Sequence, residues 1–239
     1  MSARGHHGLL LAGDSGSAVV SSLLHFDGSN GSTTFTDEVG HVWTPLGSPS
    51  ISTARSKFGG ASGLFSGNAA IRTTYHSDFD LLSGAFTIKC FVYHTGAGDH
   101  RIFTLGGSVT AGNATTGYHL LLQVDNGSRL LLTLSNGTSS PIAMNSGGAL
   151  VPLNAWSWVA ASVDAGAANL YLNGTRVAQR ISPAIVRPSG DPIPCIGRIT
   201  SQGAGNDWLG NIDEFQIMKG AAEYSGSSIT VPTAPFVYP

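Results

Sequence analysis

Hydrophobic and polar residues alternate along short segments of this chain. Between Ala85 and His94, for example, Phe86, Ile88 and Cys90 occupy every second position. Successive side chains of a β-strand point to opposite faces, so a period of two predicts strands rather than helices. Such segments recur at intervals of roughly 8–12 residues between turn-forming residues, which is typical of a β-sandwich or barrel. The predicted strands are Ser22–Asp27, His41–Pro45, Gly63–Ser66, Ala69–Thr74, Ala85–His94, Arg101–Gly106, Tyr118–Asp125, Arg129–Ser135, Trp156–Asp164, Ala168–Leu172, Arg176–Ile181, Ile193–Ile199 and Asn211–Met218.

The segment Trp156–Asp164 is apolar on both of its predicted faces. Trp156 and Trp158 fall on one face, and Val159 and Val163 fall on the other. A strand that is apolar on both sides has to be covered on both sides, so we predict that it lies inside a sheet. The same alternation favours packing in the core over a sugar-stacking role for Trp156.

Two Asn-Gly pairs predict tight hairpins. Asn126-Gly127 and Asn173-Gly174 each stand between two predicted strands. Both central residues of a type I′ turn need positive φ, which Asn and Gly tolerate best, so a two-residue turn is predicted at each pair. Asn136-Gly137 is a third candidate.

The composition excludes a helical protein. Only 11% of the 239 residues are charged, against about 25% in an average soluble domain. Glu and Lys, which solvate the outer faces of helices, number three each, so a long helical bundle is excluded. We therefore predict an N-terminal arm or linker at residues 1–20, one β domain at residues 21–224 and an extended, proline-containing tail at residues 225–239.

Charge and hydropathy exclude two classes of partner. The net charge is −2 and the chain has no Lys/Arg cluster, so no nucleic acid is expected to bind. No apolar stretch approaches the roughly 20 residues of a membrane-spanning helix, so no membrane partner is expected. The apolar run Leu9–Ala12 is followed by Asp14 and is too short for a signal peptide, so we expect a protein made in the cytoplasm and not secreted.

The cysteines and histidines show no pattern of a metal site. The spacing contains no CxxC, HxH, HxxxH or HExxH motif, which argues against zinc. Cys90 alternates with apolar residues and is predicted to be a buried thiol. A Cys90–Cys195 disulfide is the alternative, although the expected route without secretion does not favour it.

Seven segments, in their order and spacing, carry a resemblance to a known family. They are Leu23–Gly28; Phe35–Asp37 with Gly40; Ser56–Ser62 with Phe65 and Gly67; Asp78–Asp80 through Phe86–Ile88; Trp156 with Val159-Ala160; Leu170–Gly174; and Gly210–Phe215. Together they resemble the laminin G-like group of the concanavalin A-like lectin/glucanase superfamily. The resemblance implies an all-β fold, a two-sheet antiparallel jelly-roll sandwich, and the composition agrees with it. The closing stretch, Tyr224–Phe236, is similar to the end of such domains in virion proteins of tailed bacteriophages.

The resemblance also implies a metal site. Domains of this type often hold one structural Ca²⁺ between their first and last strands, and the matching positions here are Asp27 and Asp213, with a carbonyl near Gly28 as a further ligand. The alternative is that Asp213 caps a turn or meets an Arg, and that Asp27 only solvates the end of a strand. Possible cofactors are therefore limited to this one ion.

The residues needed for glycoside hydrolysis are missing from the sequence. The glucanases of this superfamily place two carboxylates at alternate positions on one strand, so that both flank a glycosidic bond. The matching segment, 211–216, has Asn211 and Gln216 at the outer positions, and the adjacent Asp213 and Glu214 are expected to point to opposite faces. We therefore predict no catalytic residue.

Loops at the rim of the sandwich are the candidate ligand surface. The candidates are Asp99, His100 and Arg101, together with Trp208 in the Gly-rich segment 203–208 and the loop 112–117. Trp208 follows Asn206-Asp207 and is the better candidate for an exposed aromatic, although packing is the favoured role. These loops mix polar residues, Gly and an aromatic, as glycan sites do.

The resemblance favours a non-enzymatic structural protein of a bacteriophage virion, which either decorates the capsid or is attached to the tail. Its expected location is the virion, and its expected partners are other virion proteins and further copies of itself. Residues Leu9, Leu10 and Leu11 in the arm are predicted to anchor it to a neighbouring subunit. The alternative is a lectin-like module for host-surface glycans, and a glycosidase is the third and weakest interpretation.

Overall fold

The computed structural model describes residues 17–106, 118–137, 141–188, 190–199 and 206–239. Fifteen strands and two short 3-10 turns, Ser77–Phe79 and Leu81–Ser83, form within these residues. The strands build two antiparallel sheets, which confirms the predicted all-β jelly-roll sandwich. The strands are β1 (Val19–Leu24), β2 (Thr44–Gly47), β3 (Ser50–Ser52), β4 (Ser62–Ser66), β5 (Ala69–Arg72), β6 (Phe86–His94), β7 (His100–Gly106), β8 (Tyr118–Val124), β9 (Arg129–Leu134), β10 (Ile142–Leu150), β11 (Trp156–Val163), β12 (Ala167–Leu172), β13 (Thr175–Ile181), β14 (Ile193–Ile196) and β15 (Leu209–Lys219).

The two sheets have eight and seven strands. The eight-stranded sheet has the order β13-β12-β11-β6-β15-β4-β3, and β1 pairs with the second half of β15, whose first half pairs with β4. The seven-stranded sheet has the order β10-β9-β8-β7-β14-β5-β2. Because β11 lies between β12 and β6, the prediction that it lies inside a sheet is confirmed.

Strand β6 shows how the alternating pattern builds the core. Phe86, Ile88 and Val92 are fully buried between the two sheets, where most of the large apolar side chains gather. The predicted inward face of β6 is therefore the observed one. The two rims of the sandwich are named here after the two ends of β6. At the Phe86 rim, β6 begins and β11 and β15 end. At the His94 rim, β6 ends and β7 and β15 begin.

A second apolar cluster, here called the outer cluster, covers the other face of the eight-stranded sheet. The C-terminal tail crosses this face: the Tyr171 hydroxyl donates to the Gly226 carbonyl, and the Ile229 N–H donates to the Gly174 carbonyl. Trp156 packs here, half-buried, rather than in the core between the sheets. The outer cluster contains Leu23, Phe91, Trp158, Ala160, Tyr171 and Phe236, with Val20, Phe58, Trp156, Tyr224, Ile229 and Val231 packed against them.

The two predicted hairpins form, but with different turns. Asn173 and Gly174 both have positive φ (48° and 84°), as a type I′ turn requires. At the other hairpin the positive φ falls on Ser128 (59°) instead of the Asn-Gly pair. The Asp125 carboxylate accepts hydrogen bonds from the Gly127 and Arg129 N–H groups, so the turn is longer by one residue and a type I′ turn was the wrong prediction there.

Several predicted boundaries differ from the observed ones. Strand β1 begins at Val19, inside the predicted arm, because Val19 and Val20 pair with the end of β15. Strands β3 and β10 were not predicted, since β3 has only three residues and β10 contains a Gly pair and a break in its register. The predicted anchor Leu9–Leu11 and the loop 112–117 lie outside the described residues. Among the described residues, no helix has the length and hydropathy needed to cross a bilayer.

The two cysteines lie in different sheets and are both free, buried thiols. Cys90 lies on β6 in the core between the sheets, and Cys195 lies on β14 of the other sheet. Burial raises the pKa of both thiols, that of Cys195 to about 12. Neither thiol is therefore prepared to act as a nucleophile.

Candidate functional site

A β-bulge in β15 holds the two adjacent carboxylates, Asp213 and Glu214. The pairing of β15 with β6 shifts between Asp213 and Gln216, and Glu214 has a φ of +53°. Asp213 accepts a hydrogen bond from the Phe58 N–H, and Glu214 accepts one from the Phe236 N–H. Phe58 and Phe236 both belong to the outer cluster, so both carboxylates lie on the outer side of this sheet. The expectation that they point to opposite faces is wrong, because a bulge re-aims one side chain.

Only one oxygen of the fully buried Asp213 carboxylate is satisfied. Its Oδ2 accepts hydrogen bonds from the N–H groups of Lys57 (2.6 Å) and Phe58 (3.2 Å). Its Oδ1 has no hydrogen-bond partner among the described residues. Burial, together with the charge of Glu214, raises the pKa of Asp213 to about 7. Asp213 therefore caps the turn at residues 57–58 and still has one buried oxygen to offer.

The same loop also contacts Asp27, the other predicted metal ligand. A Cβ added at Gly59 would lie 2.1 Å from Asp27 Oδ1, so the Asp27 carboxylate occupies the space that a side chain at residue 59 would need. Gly59 has a φ of +62°, which favours glycine for a second reason. The loop at residues 57–59 thus joins Asp27 and Asp213, which are far apart in sequence.

Glu214 is a third carboxylate at this site. The family resemblance implies only Asp27 and Asp213 as carboxylate ligands of a Ca²⁺ ion. Both of its oxygens lie 3.0 Å from His25 Nδ1. Burial raises its pKa, and the charge of Asp27 acts in the same direction. The charge of Glu214 acts on Asp213 and that of Asp27 acts on Glu214, so the three carboxylates are neighbours, and carboxylate oxygens are the ligands that a hard cation such as Ca²⁺ prefers.

At the His94 rim, the predicted ligand-binding residues are used for internal contacts. Asp99 accepts a hydrogen bond from the Asn126 N–H (2.9 Å), which connects two loops. His100 is buried, and its Nδ1 donates to the Asp207 carbonyl (2.6 Å). Arg101 is buried as well, as the second residue of strand β7. The structure brings these residues together, but it buries His100 and Arg101 and leaves only Asp99 partly exposed.

Trp208 is fully buried at the same rim. Its ring stacks on His94 at a centroid distance of 5.1 Å, and its Nε1 donates to the Asn211 carbonyl (3.3 Å). Both ring nitrogens of His94 lack a hydrogen-bond partner in the described part of the chain, and burial with the nearby His100 lowers the pKa of His94 to about 4. Packing, the favoured role for Trp208, is therefore the one observed.

The opposite rim, the Phe86 rim, contains an open cleft of about 790 Å³. Asp78, Asp164 and Lys219 bring charged groups to a wall whose other residues are uncharged and mostly apolar. None of these residues was predicted, because the cleft is assembled from segments that are remote in sequence. The lining residues are Ser17, Val19, Asp78, Leu82, Ser83, Gly84, Ala85, Asp164, Ala165, Pro183, Ile185, Lys219 and Gly220.

The fold and this arrangement agree with the comparison to protein families. The family model of the third laminin G type, described as "Concanavalin A-like lectin/glucanases superfamily", matches residues 65–224. The chain belongs to this superfamily. None of the curated proteins matches the chain. Three solved structures of similar fold have 12–17% sequence identity to it.

The three solved structures share the fold of this chain. Domain 4 of AbnA, a GH43 extracellular arabinanase from Geobacillus stearothermophilus solved with arabinotriose, matches 86% of this chain and 94% of its own, with a TM-score of 0.61 and 17% identity. The binding domain of Paraclostridial Mosquitocidal Protein 1 matches with a TM-score of 0.63 and 13% identity. The receptor-binding domain of the botulinum neurotoxin C/D mosaic serotype matches with a TM-score of 0.62 and 12% identity. Both toxin matches include 85–86% of this chain. They include only 48–49% of the toxin chain.

Proposed function

We propose that this chain is a non-catalytic carbohydrate-binding domain whose ligand enters the cleft at the Phe86 rim. The observation that carries the proposal is the cleft itself, because about 790 Å³ lies within the range of roughly 300–1,000 Å³ typical of small-molecule sites. The arabinanase domain solved with arabinotriose and the toxin binding domains, which share the fold, support a binding role.

The wall of the cleft has the chemistry that a sugar needs. Asp78, Asp164 and Lys219 offer acceptors and donors for hydroxyl groups, while Leu82 and Ile185 offer apolar contact for the C–H faces of a ring. The Lys219 ammonium is held at this wall by donating to the Ser77 carbonyl (2.6 Å).

A hydrolase is disfavoured by where the acidic groups lie. The carboxylates of Asp213 and Glu214 are buried, accept backbone N–H groups and do not line the cleft. Two carboxylates do line the cleft, but Asp164 accepts hydrogen bonds from the Gly166 and Ala167 N–H groups and Asp78 lies against His41 and His76, so both already have partners. A retaining or inverting hydrolase needs a pair of carboxylates with access to the same bond.

A glycan array with the purified chain tests the proposal, and a cleft-filling variant locates the site. Gly84 lines the cleft with a φ of −170°, and an added Cβ would meet no described atom within 4 Å, so we expect the chain to accept Gly84→Phe and the ring to obstruct the cleft. We expect it to weaken binding of the array ligands at least tenfold. Gly148→Phe, at an equally open position on β10 away from the cleft, is the matched control.

Two results would contradict the proposal. Failure of the wild-type chain to bind any glycan would remove the carbohydrate-binding function. Wild-type affinity in Gly84→Phe would keep the function but move the site away from this cleft.

We also propose that Asp27, Asp213 and Glu214 hold one structural Ca²⁺. The support is the unsatisfied Oδ1 of Asp213 and the shared loop at residues 57–59. Because the folded pKa of Asp213 is about 7 and its ordinary value is 3.8, the metal-free protein loses stability as the pH rises from about 4 to about 7. A bound cation removes this loss, so Ca²⁺ should raise the melting temperature more at pH 7.5 than at pH 5.

Two variants test the calcium proposal. Asp213→Asn should abolish the shift in melting temperature, whereas Asp191→Asn, at an exposed position, should leave it intact. A wild-type melting temperature that is unaffected by Ca²⁺ and by EDTA at pH 7.5 would overturn the proposal.

We further propose that the protein is a component of a bacteriophage virion. There it is attached, as a homo-oligomer, to capsid or tail subunits. Its support is the similarity of Tyr224–Phe236 to the end of such domains in phage proteins. Deleting residues 2–18 should abolish incorporation into particles while the melting temperature stays unchanged. Normal incorporation of the truncated chain would contradict anchoring by Leu9–Leu11.

A further inference from the structure

We propose that His41, His76 and Asp78 form a binding site for a transition-metal dication of the Zn²⁺ class. This site is separate from the carboxylate site at Asp213 and lies at the Phe86 rim, where Asp78 also lines the cleft. The three side chains come from two segments: His41 precedes β2, whereas His76 caps the first 3-10 turn, Ser77–Phe79, and Asp78 lies within it.

The distances between the donor atoms fit one tetrahedral ion. His41 Nε2 lies 3.2 Å from Asp78 Oδ2, His76 Nδ1 lies 3.0 Å from the same oxygen, and all three donor atoms lie within 4.8 Å of one another. Ligand bonds of about 2.0–2.2 Å at a tetrahedral angle place two donor atoms about 3.3–3.6 Å apart. The two separations from Asp78 Oδ2 therefore need only small adjustments to accept a metal, and the two imidazole nitrogens lie within 4.8 Å of each other.

The hydrogen bonds of His76 present its Nδ1 in the form that binds a metal. The Asp78 N–H points at His76 Nδ1 (3.3 Å), which requires a lone pair on that nitrogen. The Asp78 Oδ2 atom lies on the same nitrogen at 3.0 Å, which is repulsive unless a proton or a cation lies between them. One neutral ring nitrogen has a single lone pair and cannot donate to the carboxylate and accept from the N–H together. A cation bound by both donor atoms takes that lone pair in place of the N–H and removes the repulsion from the carboxylate.

The surrounding packing holds two of the ligands in place before a metal binds. The His41 ring lies 4.7 Å from the ring of the buried Phe79, and only 14% of its side chain is exposed. Asp78 lies within the 3-10 turn that ends at Phe79, whose N–H donates to the His76 carbonyl. Phe79 in turn packs edge-on against Trp43, so the turn is attached to the core.

The ligand set selects the class of ion. Two imidazoles and one carboxylate suit Zn²⁺ and its first-row neighbours, whereas Ca²⁺ prefers six to eight oxygen ligands. Three protein ligands leave a fourth position for water or for a donor atom of a ligand in the adjacent cleft.

The experiment measures Zn²⁺ binding by the full chain with calorimetry and native mass spectrometry, and then replaces Zn²⁺ by Co²⁺. We expect one Zn²⁺ per chain, the visible absorption of tetrahedral Co²⁺, and no competition from Ca²⁺. The isosteric Asp78→Asn and the variant His76→Gln should each weaken Zn²⁺ binding at least tenfold, with melting curves that show a folded protein. Asp78→Asn is isosteric and leaves the packing of His41 on Phe79 in place, so its result reports the loss of one ligand.

Two control variants separate this site from other histidines. His25→Gln removes an imidazole that also faces a carboxylate, Glu214, and should leave Zn²⁺ affinity unchanged. The double variant His6→Gln/His7→Gln removes the adjacent histidines of the N-terminal segment and should also retain the bound ion. Absence of stoichiometric Zn²⁺ in the wild type, retention of it in both Asp78→Asn and His76→Gln, or its loss in the double variant would overturn the proposal.

Discussion

The two rims of the sandwich contain similar types of residue, but one rim is buried and the other is open. Both collect histidines, aspartates and glycines from loops between strands. At the His94 rim the Trp208 indole stacks on His94, His100 packs edge-on against His94, and all three rings are buried. At the Phe86 rim the polar side chains remain around an open cleft. The comparison teaches that the residue types of a loop do not identify a binding site, because an aromatic partner can turn the same types into packing.

The buried tryptophan provides the largest test of this comparison. Trp208→Ala removes a fully buried ring from the His94 rim and should lower the free energy of unfolding by about 3–5 kcal/mol. Glycan binding at the Phe86 rim should persist at temperatures where the variant is folded. Chemical denaturation and a glycan array measure the two effects, and loss of binding by the folded variant would show that the rims are not independent.

A pair of glycines gives the next effect. Gly210 has a φ of +130°, and a Cβ there would lie 1.9 Å from the Tyr93 carbonyl oxygen, so Gly210→Ala should cost about 3 kcal/mol of unfolding free energy. Gly84→Ala, on the other rim, meets open space and should change the unfolding free energy by less than about 1 kcal/mol. Equal costs for the two substitutions, measured by urea denaturation, would contradict the described difference in packing.

The most gradual effect is a pH dependence at the His94 rim. The pKa of His94 is about 4 in the folded protein and its ordinary value is 6.5, so the unfolded chain binds a proton first as the pH falls. Stability should therefore decrease from about pH 6.5 to about pH 4, by at most about 1.4 kcal/mol per pH unit. His94→Phe keeps an aromatic ring and should flatten this part of the stability curve.

The two buried titrations act in opposite directions, and the variants separate them. Stability contributed through Asp213 falls as the pH rises from about 4 to about 7, because its folded pKa is raised. Below about pH 6.5, His94→Phe should therefore reveal the slope due to Asp213. If unfolding free energies of His94→Phe and wild type have identical pH profiles, His94 does not titrate as described.

The sequence predicted those features that depend on neighbouring residues. The alternation in β6 and β11 identified their faces, and Asn173-Gly174 identified a type I′ turn, because both depend on backbone and side-chain properties within one segment. The exceptions are also local in origin: Asp125 changed one turn through its own hydrogen bonds, and a Gly pair made β10 unrecognisable as a strand.

The candidate sites depended on contacts that the sequence does not contain. The family resemblance supplied Asp27 and Asp213, but the bulge that adds Glu214 arises from the register of β15 against β6. The burial of Trp208 and the grouping of His41 with His76 and Asp78 required remote loops to meet at a rim.

The sequence by itself thus determined an all-β sandwich or barrel with few charges, because strand periodicity and composition are properties of the chain alone, and the family resemblance favoured the sandwich. Only the tertiary structure decided which rim is sealed and which is open. The physical reason is that strand pairing fixes which loops become neighbours, and neighbouring loops decide whether a polar or aromatic group is buried or faces solvent.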